Sequence, residues 1–247
     1  MKFIALIFLS YTALLNFDKA MGITEYPMHQ QVSQNEDASD AWTKDELKAA
    51  NTAGNALYLS RQERDLVMYM NLARLDGERF FNTFFQEYVD LHNNRMRKYS
   101  NYNVLKISRT GSYYRSLERD MKAIKGLNML YPDQALSKVA AAHGKDMDRN
   151  NYAAHNSLNK TTPKQRISTV YPNRSMAENL AFGFDEGLAN VCMLLLDQGV
   201  PNLGHREVML STKYKLNFAG IYIGPHKGYR FCAVIDFVSL PLVEQAN

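Results

Sequence analysis

Hydrophobic and polar positions follow a helical rhythm over the first part of this chain. In ERDLVMYMNLARLDG (63–77), Leu66, Met70 and Ala73 fall on one face at helical spacing, and Gly77 supplies a stop signal. The next segment, ERFFNTFFQEYVDLH, continues as an aromatic-rich helix, and YYRSLERDMKAIKG predicts a short helix after it. The pattern therefore predicts a helical first half.

The clearest helix lies in YPDQALSKVAAAHGKDMDRN (131–150), where Asp133 suits the N-cap position. An apolar stripe at helical spacing follows, formed by Leu136, Val139, Ala140, His143 and Met147. Because His143 lies on this stripe, we interpret it as a hydrogen-bonded core histidine. DEGLANVCMLLLDQG (185–199) is apolar enough for a buried helix, and a short helix is expected over 162–169. AAHNS and MAENLAFG are expected to lie on loops.

The pattern becomes strand-like at the end of the chain. LNFAGIYIG (216–224) and YRFCAVIDFV (229–238) are rich in β-branched and aromatic residues, and PHKG separates them. This arrangement predicts a β-hairpin. Helices followed by a terminal hairpin predict an α+β fold in which helices cover both faces of a small sheet, a three-layer α-β-α sandwich.

The first residues are typical of an export signal. After Lys2, fifteen uncharged residues form a run that is too short to span a bilayer comfortably. We predict a secretory signal peptide over 1–20, with an uncleaved anchor as the alternative. A flexible polar tail is expected over 21–43. The protein is then secreted, periplasmic or at the cell surface, and no later segment is expected to cross a membrane.

Charge is unevenly distributed along the chain. Residues 95–125 hold nine Lys or Arg against two acids, whereas the net charge of the whole chain is +4. Tyrosines at 99, 102, 113 and 114 are interleaved with the basic residues. Such a pattern can contact phosphates or stack on rings. We favour a solvated, partly helical insertion at about 80–126, and a nucleic-acid partner is not favoured.

Two cysteines, Cys192 and Cys232, stand in apolar sequence. In an oxidising compartment they could pair, but a single bond does not make a disulfide scaffold. A buried free cysteine behaves as a small hydrophobic residue, and we favour that role.

Four polar residues occupy apolar or turn-rich surroundings: His155, Glu178, Asp197 and His205. A carboxylate in such a place is costly unless it has partners. Gathered in one cleft, two histidines and two acids would suffice for a divalent metal such as zinc, or for acid–base chemistry with Glu178 as the candidate catalytic base. Each also has a structural interpretation, for example Asp197 as a helix-end or turn cap. Ser157 is the only conveniently placed hydroxyl for a nucleophile.

Four motifs in order, NYAAHNS, MAENLAFG, LLLDQGVPNLGHREVML and GIYIG…CAVIDF, resemble the CAP superfamily, the cysteine-rich secretory, antigen 5 and pathogenesis-related proteins with an SCP domain. The resemblance is to the bacterial type and places the domain at 62–240. It implies an α-β-α sandwich with a shallow cleft, in which His155, Glu178 and His205 take three of four polar places. The fourth is usually a glutamate, and here the candidate is the shorter Asp197.

The resemblance leaves several functions open, because members have been connected with metal, sterol or fatty-acid binding, protein recognition and proteolysis. We favour a secreted binding protein whose cleft holds a lipid, glycan or protein partner, with or without a metal such as zinc. A metal-dependent hydrolase using the same cleft and an inert surface scaffold are the alternatives. The aromatic stretch RFFNTFFQEYV could line a lipid groove, although a core position is the simpler interpretation.

Overall fold

The structure is a computed structural model that describes residues 36–211 and 213–240. The predicted signal peptide over 1–20 lies outside the described residues. The helices are α1 (Glu36–Asp40), α2 (Lys44–Ala50), α3 (Arg61–Leu75), α4 (Gly77–Phe80), a π-helical turn (Phe81–Phe85), α5 (Gln86–Met96), α6 (Tyr102–Leu105), α7 (Ser112–Lys122), α8 (Gln134–Asn150), α9 (Pro163–Ser168), α10 (Gly187–Leu196) and α11 (Gly204–Leu210). The strands are β1 (Tyr131–Pro132), β2 (Met176–Phe182), β3 (Leu216–His226) and β4 (Arg230–Ser239).

The sheet is small and built around the predicted hairpin. Its strand order is β1-β3-β4-β2, with β1 parallel to β3 and the other neighbours antiparallel. The hairpin pairs β3 with β4 and closes at His226 opposite Arg230, which confirms the prediction. Strand β2 forms one edge of the sheet and pairs only with β4 in this order.

Helices cover both faces of the sheet. Val234 and Val238 of β4 lie on the face that packs against α8 and α9. Their neighbours Ile235 and Phe237 lie on the opposite face, in the larger core that includes α3, α10 and α11. Alternate side chains of one strand thus enter two cores, as the pleat of a strand dictates. The predicted three-layer α-β-α sandwich is confirmed.

The segment MAENLAFG is a strand, so the expectation of a loop there was wrong. Strand β2 pairs with β4 along its whole length, from Met176 opposite Val238 to Phe182 opposite Cys232. The alternation of hydrophobic and polar residues is weak because helices bury both faces of this strand. The strand fixes the position of Glu178.

Several local predictions hold on the α8 face. Asp133 caps α8 and accepts a hydrogen bond from the Leu136 N–H at 2.8 Å. His143 is buried, and its Nε2 lies 2.9 Å from the Ala154 carbonyl oxygen. Burial, above all, lowers the pKa of His143 to about 3, so that the ring is neutral and donates to this carbonyl. Its role as a core histidine is confirmed. Cys192 and Cys232 are both free and buried.

The regions predicted as a tail and as an insertion belong to the core where they are described. Trp42 is 4% exposed and stacks on Phe84, with ring centroids 6.3 Å apart. The prediction of a flexible tail over 21–43 therefore does not hold for residues 36–43. Phe80, Phe81 and Phe85 are also buried, so the aromatic stretch is core. Segment 80–126 contains the last residue of α4, the π-helical turn and α5 to α7, and it packs into the same core because its apolar residues need a partner surface.

None of the helices within 36–211 and 213–240 combines the length and the hydrophobicity that a membrane span requires.

Candidate functional site

Two histidine–carboxylate pairs lie beside the edge strand β2. Nδ1 of His155 is 2.7 Å from Glu178 Oε1, and Nδ1 of His205 is 2.7 Å from Asp197 Oδ1. The acid side chains are 1% and 0% exposed, whereas the two rings are 21% and 25% exposed. A buried carboxylate therefore orients each imidazole through Nδ1, and Nε2 is the nitrogen directed away from that carboxylate.

Glu178 is held by side chains from distant parts of the chain. Strand β2 carries it into the core, His155 reaches it from the loop after α8, and Arg166 reaches it from α9. Arg166 Nη2 donates to Glu178 Oε2 at 2.5 Å. The same guanidinium donates to Ser157 and to the Thr161 carbonyl, which ties the His155 loop to α9. Both oxygens of Glu178 are therefore engaged.

A second carboxyl group, Asp236, completes the Glu178 cluster. It lies directly opposite Glu178 in the pairing of β2 with β4 and is completely buried. Within the described part of the chain, neither Asp236 oxygen has a hydrogen-bond donor, since the neighbouring Glu178 is itself an acceptor when ionised. Asp236 was not among the predicted site residues, although an acid within the apolar segment CAVIDFV gives the same signal that singled out Glu178.

The two buried carboxyl groups share one cation, which controls their protonation. Burial raises the pKa of Glu178 to about 7, against the opposing effect of Arg166. Burial and the charge of Glu178 raise the pKa of Asp236 well above its usual range. Two ionised carboxylates beside one guanidinium would leave an unbalanced charge in the core. We therefore assign one shared proton to the pair near neutral pH, through which Asp236 donates to Glu178.

His155 is a neutral ring at physiological pH. Burial, followed by the charges of His205 and Arg166, lowers the pKa of His155 to about 4. The ring thus donates its Nδ1 proton to Glu178 while it stays uncharged. Asn179, the neighbour of Glu178 on β2, donates to the His205 carbonyl, so the two pairs lie beside the same strand, and we call the region between them the cleft.

Asp197 is positioned by local backbone geometry. It follows α10 in the left-handed conformation, with φ of 55°. Its Oδ2 accepts the backbone N–H groups of His205 and Arg206 at 3.0 and 3.2 Å, so the acid both caps α11 and orients His205. Asn179 of β2 donates to the His205 carbonyl at 3.1 Å and ties α11 to the sheet. The shorter acid therefore reaches His205.

Arg206, the last residue of the GHR segment, has a structural role. Its guanidinium is buried and donates to the carbonyls of Leu195 and Leu196 at the end of α10. It also forms an ion pair with Asp120 of α7, with Nη1 2.9 Å from Oδ2. Arg206 thus fixes α11 against two helices, which holds His205 in place.

The structure brings the four predicted residues together as two pairs. Among the described residues, no group of three or more His, Cys, Asp and Glu side chains is arranged to hold a metal ion. The carboxylate oxygens of Glu178 and Asp197 are already occupied by the contacts above. The two acids thus act in this structure as hydrogen-bond partners of the imidazoles of His155 and His205.

An open groove lies next to this cleft on the side of α8. Its volume is about 500 Å³, and it is lined by Ala142, His143, Asp146, Ser157, Leu158, Asn159 and Arg166. Ser157 Oγ lies 3.5 Å from His143 Nδ1, a long contact, and accepts from Arg166 at 3.2 Å. Ser157 therefore supports Arg166, which faces both the groove and the Glu178 cluster.

Comparisons with known proteins agree with the order of motifs. The model of the CAP family, described as the cysteine-rich secretory protein family, matches residues 89–237, a span that contains all the cleft residues and Asp236. The chain is similar to the "Uncharacterized membrane protein YlbC" of Bacillus subtilis (strain 168), with 32% identity over 90 residues, which is 36% of this chain and 25% of that protein.

Two solved structures are also similar. An extracellular protein containing a SCP domain from Bacillus anthracis str. Ames is 26% identical with a TM-score of 0.38, covering 46% of this chain and 35% of that one. An outer surface protein from Borrelia burgdorferi is 24% identical with a TM-score of 0.39, covering 54% of this chain and 96% of that one. The chain thus spans a quarter of the Bacillus subtilis protein and about a third of the Bacillus anthracis chain.

Proposed function

Since the chain belongs to the CAP family of cysteine-rich secretory proteins, we propose that it is an extracellular binding protein whose cleft holds a ligand between His155 and His205. The ligand class that best fits this cleft is a divalent cation such as zinc, alone or carried by a polar partner molecule. The proposal depends on one observation: a buried carboxylate orients each imidazole through Nδ1.

The chemistry of the rings supports a binding role. A neutral imidazole binds metals through its unprotonated nitrogen, and the low pKa of His155 keeps that ring neutral at pH 7. The hydrogen bonds from Nδ1 to Glu178 and Asp197 select the tautomer in which Nε2 carries the lone pair. The rings are therefore prepared for a ligand before it arrives, which lowers the entropic cost of binding.

The burial of Glu178 argues against its use as a catalytic base. Its side chain is 1% exposed, and both oxygens are engaged by His155 and Arg166. A general base must come within hydrogen-bond reach of the substrate proton. In this cleft Glu178 instead positions His155, so we favour ligand binding over hydrolysis.

Calorimetric titration of the full chain with zinc chloride at pH 7.5 tests the proposal. We expect binding at one site, lost in His155→Ala and in His205→Ala. His92→Gln is the matched control, because His92 lies on α5 and contacts the Leu105 carbonyl. Absence of zinc binding, or binding that both cleft variants retain, would overturn the proposal. Circular dichroism of each variant confirms that it is folded.

A further inference from the structure

The surface between α5 and α7 carries positive charge that the fold does not neutralise. Residues 91–117 contain six Lys or Arg and neither Asp nor Glu. Arg95 pairs with Glu186 at 3.1 Å, and Arg109 pairs with Asp90 at 2.8 Å. Within the described residues the other four have no carboxylate at ion-pair distance; they are Arg97, Lys98, Lys106 and Arg115.

Three of these four cations lie on one compact segment, residues 97–106, which we name the basic tip. Successive turns shape it: the Tyr99 N–H donates to the Met96 carbonyl, and the Tyr102 N–H to the Tyr99 carbonyl, both at 3.1 Å. Lys98 Nζ lies 5.2 Å from the ring centroid of Tyr99, and Lys106 Nζ 5.4 Å from that of Tyr102. Two cation–aromatic pairs therefore lie on this segment.

The basic tip is fastened to the body of the protein. The side chain of Asn93 on α5 binds both backbone groups of Ile107, accepting from its N–H at 2.7 Å and donating to its carbonyl at 3.0 Å. His92 lies 3.0 Å from the Leu105 carbonyl, and Leu105 and Ile107 are buried. The exposed charges thus stand on a held turn, which lowers the ordering cost of any contact they make.

An exposed apolar side chain favours a membrane over a soluble polyanion as the partner of the basic tip. Val104 of α6 is 76% exposed and lies in the chain between Tyr102 and Lys106. Lysine, tyrosine and an apolar residue together are typical of surfaces at the lipid–water boundary, where tyrosine lies at headgroup level and lysine reaches the phosphates. A soluble polyanion would use the cations and gain nothing from Val104.

We propose that the basic tip docks on an anionic phospholipid surface. Arg97, Lys98 and Lys106 contact headgroup phosphates, Tyr99 and Tyr102 lie in the headgroup layer, and Val104 enters the boundary of the acyl chains. This surface is separate from the cleft, so vesicle binding does not depend on the cleft histidines. The interaction is electrostatic in part, and salt weakens it.

Flotation of the full chain with vesicles tests the docking surface. Vesicles of phosphatidylglycerol and phosphatidylcholine are compared with pure phosphatidylcholine in 0.1 M and 0.5 M salt. Residues 1–35 are the same in every variant, so differences between variants report on the tip. We expect K98E/K106E to bind the anionic vesicles at least tenfold more weakly than the unmodified protein at low salt. On neutral vesicles the two proteins should bind equally.

Two controls make the test decisive. K138E/K145E on α8 makes the same change of charge at exposed lysines elsewhere and should keep full binding. Val104→Ser should weaken vesicle binding but leave the binding of soluble polyphosphate unchanged. Equal vesicle binding by K98E/K106E and the unmodified protein would overturn the proposal. Full vesicle binding by Val104→Ser would also overturn it, because the site would then be a general polyanion surface.

Discussion

The two halves of the cleft reach the same local geometry by different means. In both, a buried carboxylate lies 2.7 Å from a histidine Nδ1. Asp197 is only eight residues before His205, and backbone N–H groups of α11 satisfy its other oxygen. Glu178 depends instead on side chains from β4, α9 and the loop after α8. The Asp197–His205 pair is built locally, whereas the Glu178–His155 pair depends on the whole sandwich and on a shared proton.

The largest expected effect is the loss of Arg166, the guanidinium that pairs with Glu178. Arg166→Met leaves two buried carboxyl groups without their partner, so we expect the free energy of unfolding at pH 7.5 to fall by about 4 kcal/mol. The loss should be smaller at pH 5, where both carboxyl groups can take up protons. Urea unfolding at the two pH values measures this, and Arg149→Met, at an exposed position on α8, is the control. An equal loss at both pH values would contradict the shared role of Arg166.

The Asp197–His205 pair should respond to the shape and hydrogen-bonding capacity of the side chain at position 197. Asp197→Ala removes the acceptor for two backbone N–H groups and for the His205 ring, so we expect a loss of about 3 kcal/mol. Asp197→Asn keeps an acceptor and tolerates the left-handed backbone, so the loss should be about 1 kcal/mol. Urea unfolding of both variants checks the order. Equal losses in the two variants would show that Asp197 does not stabilise the protein by accepting these hydrogen bonds.

The shared proton predicts the direction in which the free energy of unfolding changes with pH. The unfolded chain releases the protons of Glu178 and Asp236 near their ordinary pKa values of 4.5 and 3.8, but the folded protein retains protons to higher pH. Stability contributed by these groups is therefore lost as pH rises toward 7 and beyond. Each retained proton gives a slope of about 1.4 kcal/mol per pH unit.

Asp236→Asn tests that slope, because the amide can donate to Glu178 without a titrating proton. Between pH 6.5 and 8.5 the variant should lose less stability than the unmodified protein. His143 and His155 act in the opposite direction, since their lowered pKa values, about 3 and about 4, make stability rise with pH only up to about 6.5. Infrared spectra at pH 7 should show a protonated carboxyl band that the variant lacks. Identical slopes and spectra would refute the shared proton.

The smallest expected effect concerns Ser157. Ser157→Ala removes one hydrogen bond to Arg166, so unfolding should change by less than about 1 kcal/mol, and zinc affinity should stay the same. Calorimetry and urea unfolding measure both. A large loss of a hydrolytic activity in this variant would instead restore Ser157 as a nucleophile.

Much of the fold was readable from the sequence because its signals are local. The stripe that includes His143 and the cap at Asp133 define α8, and alternating β-branched residues define the hairpin. Strand β2 was missed because both of its faces are buried. Segment 80–126 was predicted as a solvated insertion from its excess of basic residues, whereas its phenylalanines, for which a core position was the simpler interpretation, fill the core.

The cleft was readable only in part, for a physical reason. His155, Glu178, Asp197 and His205 were singled out by their apolar or turn-rich surroundings, and the order of motifs then grouped them into one site. Arg166 meets Glu178 only because α9 folds over the sheet, and no spacing in the sequence fixes that contact. Asp236 carried a usable signal, an acid inside an apolar strand, but its partner depends on strand register.

The most direct test of the account is the protonation of the two cleft imidazoles, because the central claim is that buried acids orient them. Nitrogen-15 NMR of the full chain at pH 7.5, with assignments from His155→Ala and His205→Ala, identifies the tautomer of each ring. We predict a proton on Nδ1 of both rings, and a zinc-induced shift at Nε2 of both. A proton on Nε2 of either ring, or rings that zinc leaves unchanged, would contradict the account.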